Sequence, residues 1–513
     1  MSQERMALVV SIEQDEAQIV FACDPAQSLF NLNSEEFEGP FESLAFPVKI
    51  SASVPVATTT RVGRLKRTAL ERFLRKFMES QTRNYYQAIH KPAQDSPFEP
   101  GKTRVTYAGR VFDAGEMVNL TNSALDFWLT SGPFSAEFEK RFAKLLGVRK
   151  SLLVNSGSSA NLLAFFTLTS PKLEERAIER GDEIITVAAG FPTTVAPMLQ
   201  YGAKPVFIDV SVDDGNYNAD VSLLEAARSE RTKGVMMAHT LGNPFDLNTV
   251  REFCKKYNLW LVEDNCDALG TRYEGQLTGS IGDLATSSFY PPHHLTMGEG
   301  GAVYTGNLKL ASIAESMRDW GRDCWCASGK DNTCGKRFEW ELGELPAGYD
   351  HKYIYSHLGF NLKVTDMQAA IGLAQLDKLD EFVTLRRKNW QTLRDGLADL
   401  QDVFILPTPT KGSEPSWFGF ALTIRENSGV KRRELIDYLE AESIQTRLVF
   451  AGNLLRHPAF DKMRKTGTDY RVVGDLKNTD RVMNQTFWLG VYPGMKTGMI
   501  EYMIEKIRKF VRR

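Results

Sequence analysis

Between Ser151 and Glu263 the chain repeats one pattern, a short apolar run followed by a turn and a helix-length segment. Ser151 to Val154, Glu183 to Val187, Pro205 to Asp209, Gly234 to Ala238 and Leu259 to Glu263 read as strands. Ser159 to Leu168 opens a helix, and Thr249 to Tyr257 forms another. Apolar strands separated by helices predict an α/β fold built on a parallel sheet with right-handed crossovers.

At 513 residues the chain is too long for one hydrophobic core. Thr365 to Glu381 and Leu385 to Leu400 read as long helices leading into a smaller C-terminal α+β domain. Its strands are expected near Trp417 to Thr423 and Thr486 to Leu489, and its helices near Lys431 to Glu442 and Met499 to Val511. Residues 1–62 stand apart as an unassigned N-terminal extension. Met6 to Ile12 and Ala17 to Ala22 suit two strands, and a Pro-, Ser- and Thr-containing stretch runs from Phe46 to Thr60. The expected division is 1–62, 63–375 and 376–513. From Arg61 to about Ile89 the apolar spacing is helical, with Arg61, Arg64, Lys66, Arg67, Arg72, Arg75 and Lys76 on it. A solvated face is the ordinary reading of such a stretch, and a docking patch for an acidic partner is the other.

A net charge of -2 favours neither nucleic acid nor membrane as a partner. No apolar run reaches bilayer length, and the first residues lack a signal-peptide layout, so a cytoplasmic enzyme is expected. Six cysteines in such a chain are not a disulfide framework.

Three segments carry candidate chemistry. Asn155-Ser156-Gly157-Ser158-Ser159-Ala160-Asn161 joins a strand to a helix start, where free amides and hydroxyls make an anion site or simply a cap. Asp264 ends a parallel strand, where a carboxylate faces the ligand crevice or caps a loop. Ser288 to Gly301 is a loop and a Gly-rich turn that holds His293. Cys266, Cys324, Cys326 and Cys334 are separated by 57, one and seven residues. Four such thiolates suit an iron–sulfur cluster, a structural zinc ion, or no metal at all. Cys266 lies two residues beyond Asp264, so a centre there would sit beside anything Asp264 binds.

Ser288-Phe289, His293, Thr296 and Gly298-Glu299-Gly300-Gly301 resemble the cofactor-lysine segment of the DegT/DnrJ/StrS sugar aminotransferase-like family, S-F-x-x-x-K-x-x-T-x-G-E-G-G. The one departure is His293, which stands where the family has lysine. Histidine forms no Schiff base with pyridoxal phosphate (PLP) but still moves a proton. With the cysteine spacing, the chain resembles the subgroup of CDP-4-keto-6-deoxyglucose-3-dehydrase and its relatives, over roughly Phe98 to Arg513.

The resemblance implies a type I PLP-transferase fold, aspartate aminotransferase-like, with pyridoxamine phosphate (PMP) as resident cofactor in the large domain. It implies phosphate ligands at Gly157, Ser158, Ser159 and Ser288, a ring-stacking Phe191, and Asp264 on the pyridinium nitrogen. Asn361 matches a phosphate ligand supplied by a second subunit, hence a homodimer. His293 is implied as base, supported by Tyr290 and Asp267. Cys266, Cys324, Cys326 and Cys334 are implied to hold a 2Fe–2S cluster fed by an NADH-dependent flavin/iron–sulfur reductase. The implied reaction is loss of the C3 hydroxyl from a nucleotide-diphosphate 4-keto-6-deoxyhexose, with reduction to a 3,6-dideoxysugar. Arg447 and Arg456 are candidates for the diphosphate, and Cys23 and Cys254 are plain thiols. The alternatives are a cluster-free dehydrase of the colitose type and an inactive scaffold with structural zinc.

Overall fold

The computed structural model describes residues 8–13, 16–21, 37–43, 61–65 and 67–512. They fall into two compact units, divided after Pro92.

In the first unit four strands, β1 (Leu8–Glu13), β2 (Glu16–Phe21), β3 (Phe37–Ser43) and β4 (Arg61–Leu65), form an antiparallel sheet in the order β1-β2-β4-β3. The expected strand pair is therefore a hairpin within a larger sheet. The basic stretch is not helical from Arg61: β4 pairs on both sides, with β2 and with β3, and two ladders outweigh the helical spacing. The helix begins at Arg67 and runs to Tyr85. Cys23 and the stretch from Phe46 to Thr60 lie outside the described residues.

The second unit is organised on eight strands. They are β5 (Lys150–Val154), β6 (Glu183–Val187), β7 (Lys204–Ile208), β8 (Thr232–Ala238), β9 (Trp260–Asp264), β10 (Leu284–Ser288), β11 (Gly301–Thr305) and, late in the chain, Arg471–Val472. From Arg471–Val472 the order runs through β7, β6, β8, β9, β10 and β11 to β5. Every neighbouring pair is parallel except those made by β11, which runs antiparallel to β10 and β5. Ile185, Val206 and Val235 pack on one face, and Ile184, Met236 and Val262 on the other. A sheet covered on both faces accounts for the unbroken apolar runs in the sequence.

The C-terminal strands Phe404–Ile405, Gly419–Ile424 and Thr486–Gly490 form a separate antiparallel sheet. The core behind it includes Leu435, Ile500 and the stacked pair Trp390 and Trp417, whose ring centres are 4.1 Å apart. The two long helices expected over Thr365 to Glu381 and Leu385 to Leu400 are Asp366–Leu376 and Leu379–Gly396, with the break earlier than expected. The break falls at Asp377 and Lys378, where the Lys378 ammonium is held by Asp113 at 3.0 Å and by Glu116. No helix among the described residues is long and apolar enough to cross a membrane.

Candidate active site

A cavity of about 380 Å³ opens at the C-terminal ends of the parallel strands. Each strand end delivers residues to it: Gly157 and Ser158 after β5, Phe191 after β6, Asp264, Cys266 and Asp267 at β9, and Ser288, Tyr290 and His293 at β10. This is where open parallel sheets bind ligands, because the turns there lead into helix N-termini. The far wall comes from the C-terminal part of the chain and is aromatic, with Phe418, Phe450 and Trp488.

Ser156 caps the helix Gly157–Thr167, its hydroxyl accepting from the Ser159 amide at 3.0 Å. Ser159 is thereby used inside the turn and does not line the cavity. The amides of Gly157 and Ser158 have no partner within the helix. A Cβ on Gly157 would lie 2.4 Å from the Ser288 Cβ. Only glycine lets this turn close on the end of β10, and the closure sets the Ser288 hydroxyl beside the helix N-terminus. Hydroxyl and amides together suit a phosphate group.

Asp264 is 4% exposed and held from several directions. Asn161 Nδ2 and Thr194 Oγ1 donate to its Oδ2 at 2.8 and 2.7 Å. The Cys266 amide and the Thr286 hydroxyl reach its Oδ1 at 3.2 and 3.4 Å, and Thr286 also donates to Asn161 at 2.7 Å. This brace fixes the carboxylate at the cavity floor. A phosphate seat, a fixed buried carboxylate and the half-exposed Phe191 at the wall are the parts that PMP or PLP requires, so the residues present fit that cofactor.

His293 Nδ1 is buried without a hydrogen-bond partner, and the nearest acidic oxygen is Asp267 Oδ1 at 3.6 Å. Burial and then the Arg386 charge hold the imidazole down to about 4, with Asp264 opposing. Burial and then Asp264 push Asp267 well above the usual carboxylate range, with Arg386 opposing. His293 is therefore neutral at pH 7 and able to accept a proton. Tyr290 lines the cavity half-exposed, and its carbonyl accepts from the His293 amide at 2.9 Å.

The four cysteines are not brought together. Cys324, Cys326 and Cys334 line one small cavity with His351 and Lys352, whereas Cys266 lines the large one. Among the described residues no group of three or more His, Cys, Asp or Glu side chains is arranged to hold a metal ion. Burial raises the Cys266 thiol, with Asp264 adding to it. The Cys326 thiol is lowered, because hydrogen bonds from Thr333 outweigh its burial. As arranged here, Cys266 stands apart from the other three thiols. Cys254 is a buried thiol that burial pushes up to about 12.

Asn361 is exposed and does not line the cavity. Arg447 lines it, its guanidinium 3.9 Å from the Tyr107 ring centre and without a carboxylate partner among the described residues. Arg456 is engaged elsewhere, in an ion pair with Asp480 at 2.5 Å. Sequence reasoning assigned no role to Asn161, Thr194, Thr286 or Arg386. The bonds of Asn161 and Thr194 to Asp264 come from folding distant turns together.

The family model for the DegT/DnrJ/EryC1/StrS aminotransferases matches residues 111–508. The lipopolysaccharide biosynthesis protein RfbH of Salmonella typhimurium is 55% identical over 424 residues, 83% of this chain and 95% of that one. The dTDP-4-dehydro-2,6-dideoxy-D-glucose 3-dehydratase of Saccharopolyspora spinosa is 52% identical, over 82% of this chain and 90% of that one. Among solved structures, Escherichia coli GDP-4-keto-6-deoxy-D-mannose-3-dehydratase with bound hydrated PLP superposes with a TM-score of 0.70 at 27% identity. That match covers 79% of this chain and all of the other. The sheet and its smaller C-terminal unit are thus the type I PLP-transferase fold. Matched over most of its length, the chain belongs to the DegT/DnrJ/EryC1/StrS aminotransferase family.

Proposed function

We propose that the protein is a PMP-dependent 3-dehydratase acting on a nucleotide-linked 4-keto-6-deoxyhexose in deoxysugar biosynthesis. The observation that carries the reading is His293. In place of an amine, the site offers a neutral imidazole at the wall of a cavity built for this cofactor. When bound, PMP supplies an amine for the 4-keto carbon and a ring that accepts an electron pair. Gly157, Ser158 and Ser288 hold its phosphate, Asp264 keeps its ring nitrogen protonated, and Phe191 covers its face. His293 would remove a proton from the C4′ methylene, with Asp267 supporting the ring from the Nδ1 side, its Oδ1 3.6 Å away. Tyr290 supports the base loop through its carbonyl. Arg447, at the cavity wall without a carboxylate partner among the described residues, takes the diphosphate. The relatives named for a dTDP sugar and for a GDP sugar support the substrate class.

The proposal includes a homodimer in which Asn361 serves the partner's phosphate site. Its support is the surface around Asn361: Leu358 is 97% exposed and Tyr353 and Tyr355 are more than half exposed, an apolar patch suited to a second copy.

For completion of a deoxygenation we propose a 2Fe–2S cluster on Cys266, Cys324, Cys326 and Cys334 and a separate NADH-dependent flavin/iron–sulfur reductase. The cysteine spacing and the three thiols around one cavity support this. The placement of Cys266 in the other cavity favours a second reading, a dehydratase without a cluster. The visible spectrum of the protein, with iron and sulfide analysis, decides between them. For the dehydration itself, PMP-loaded protein and a 4-keto-6-deoxyhexose nucleotide in ¹⁸O water should give label at C3. His293→Asn should lower that rate by about 10²–10⁴ while PMP stays bound. Equal rates in the variant would refute the assignment.

A further inference from the structure

Arg386 is 1% exposed, yet no carboxylate lies within hydrogen-bond distance of it among the described residues. It sits midway along the helix Leu379–Gly396. One turn before it, Phe382 and Val383 pack with Phe289 and Leu295 beside the large sheet. One and two turns after it, Trp390 and Leu393 pack in the C-terminal core. Its Nη2 donates to the carbonyls of Pro292 and His293, both at 3.2 Å, and its Nη1 to the carbonyl of Trp417 at 3.2 Å. Its Nε is buried without a partner.

Burying a guanidinium with no carboxylate in hydrogen-bond contact is expensive, and the charge of nearby Asp267 offsets only part of the cost. What Arg386 gains is geometric. A rigid planar fork can join carbonyls from two separate chain segments, which a single ammonium or amide does less well. Two of the three carbonyls belong to the peptide units on either side of the His293 nitrogen and carbon, so the bonds hold the backbone from which the imidazole projects. On the N–H side, His293 is held by the Tyr290 carbonyl at 2.9 Å.

We infer that Arg386 is a positioning residue, which fixes the Pro292–His293 backbone against the helix Leu379–Gly396 and the Trp417 segment and so aims His293 into the cofactor cavity. This rests on the reading of His293 as the base. Arg386→Ala should lower kcat for C3 dehydration by about 100-fold, the loss that a ~1 Å misplacement of a reacting group can cause. The PMP dissociation constant and the substrate KM should change less than about threefold. Guanidinium at sub-denaturing concentration should restore part of the kcat in Arg386→Ala and none in Arg386→Met, whose side chain fills the vacated space.

A second measurement needs neither substrate nor turnover. Hydrogen exchange by mass spectrometry should show faster exchange in peptides spanning residues 289–297 of the alanine variant, reversed by guanidinium, with the β5 to β9 peptides unchanged. If the nucleotide sugar proves not to be the substrate, this exchange result still tests Arg386. Should Arg386→Ala not fold, Arg386→Lys, which keeps the charge and loses the fork, carries the same measurements. Wild-type exchange over 289–297 in a folded variant, or an undiminished kcat, overturns the inference.

Discussion

Gly157→Ala tests the cofactor seat most directly, because its effect follows from three distances. The added Cβ would meet the Ser288 Cβ at 2.4 Å, its Oγ at 2.8 Å and its Cα at 3.0 Å. Carbon atoms pack at about 3.5–4.0 Å, so the turn and β10 must part by about 1 Å. A rotamer change cannot relieve this, since two of the atoms are the Cα and Cβ of a buried strand residue. Overpacking of this kind costs about 1–3 kcal/mol of stability. The displacement also pulls the Ser288 hydroxyl from the helix N-terminus. One lost bond to a charged phosphate is worth about 1.5–3 kcal/mol, which raises the PMP dissociation constant by roughly 10- to 150-fold.

The assay is PMP titration followed by absorbance, with urea midpoints of the apoprotein measured beside it. The double variant Gly157→Ala/Ser288→Gly removes the Cβ and Oγ from the clash. It should regain most of the urea midpoint while PMP affinity stays low, because the hydroxyl is gone. Ser288→Ala in place of Ser288→Gly keeps the Cβ and should rescue neither. If Gly157→Ala binds PMP as wild type does, with an unchanged midpoint, the turn does not seat the phosphate and the close packing has another purpose.

Three further outcomes follow from the site. Thr194→Val removes the 2.7 Å donor to Asp264 and should weaken PMP binding by about 5- to 10-fold, read in the same titration. Arg447→Met should raise KM for the nucleotide sugar about tenfold with kcat nearly unchanged, and should abolish competition by the free nucleoside diphosphate; a kcat effect alone would place Arg447 elsewhere in the reaction. His293 is held down to about 4 in the folded protein against ~6.5 when unfolded, so between those pH values the unfolded chain binds a proton that the folded chain does not. Stability is therefore lost as pH falls through that window, by up to about 3 kcal/mol from this group, and levels off below it. Urea midpoints from pH 7 to pH 4 should drop less steeply in His293→Asn than in wild type.

The large sheet was legible because its central strands are buried on both faces. Their apolar runs carry no alternation that could be confused with a surface strand, and five of the eight strands stand out for that reason. Leu284-Ala285-Thr286-Ser287-Ser288 and Gly301-Ala302-Val303-Tyr304-Thr305 do not stand out. Both are fully buried, but their small and hydroxylated residues serve hydrogen bonds, as Thr286 does for Asn161 and Ser287 for Tyr304. Arg471–Val472 was illegible for a different cause. Two residues pair with β7 only after some 260 residues of chain have returned to the sheet edge, and no local pattern encodes that.

The site divides in the same way. Gly157, Asp264, Ser288 and His293 are contributed by short turns that each strand carries with it, so a motif names them and the sheet assembles them. The groups that orient these residues come from elsewhere: Thr194 from the helix after β6, Arg386 from the helix Leu379–Gly396, and the aromatic wall from the C-terminal part of the chain. Their side chains have ordinary alternatives, a helix cap, a surface arginine or a core aromatic, and their sequence contexts do not choose among these. The cysteines mark the limit of spacing as evidence. Cys324, Cys326 and Cys334 share a loop region and one cavity, as close spacing would place them. Cys266 is tied to the end of β9, where the Asp264 brace already uses its amide, so moving its thiol toward the other three means disturbing the carboxylate that the cofactor ring needs. A cluster on all four cysteines therefore has to form without loosening that brace, and PMP affinity measured with and without iron is the quantity that reports whether it does.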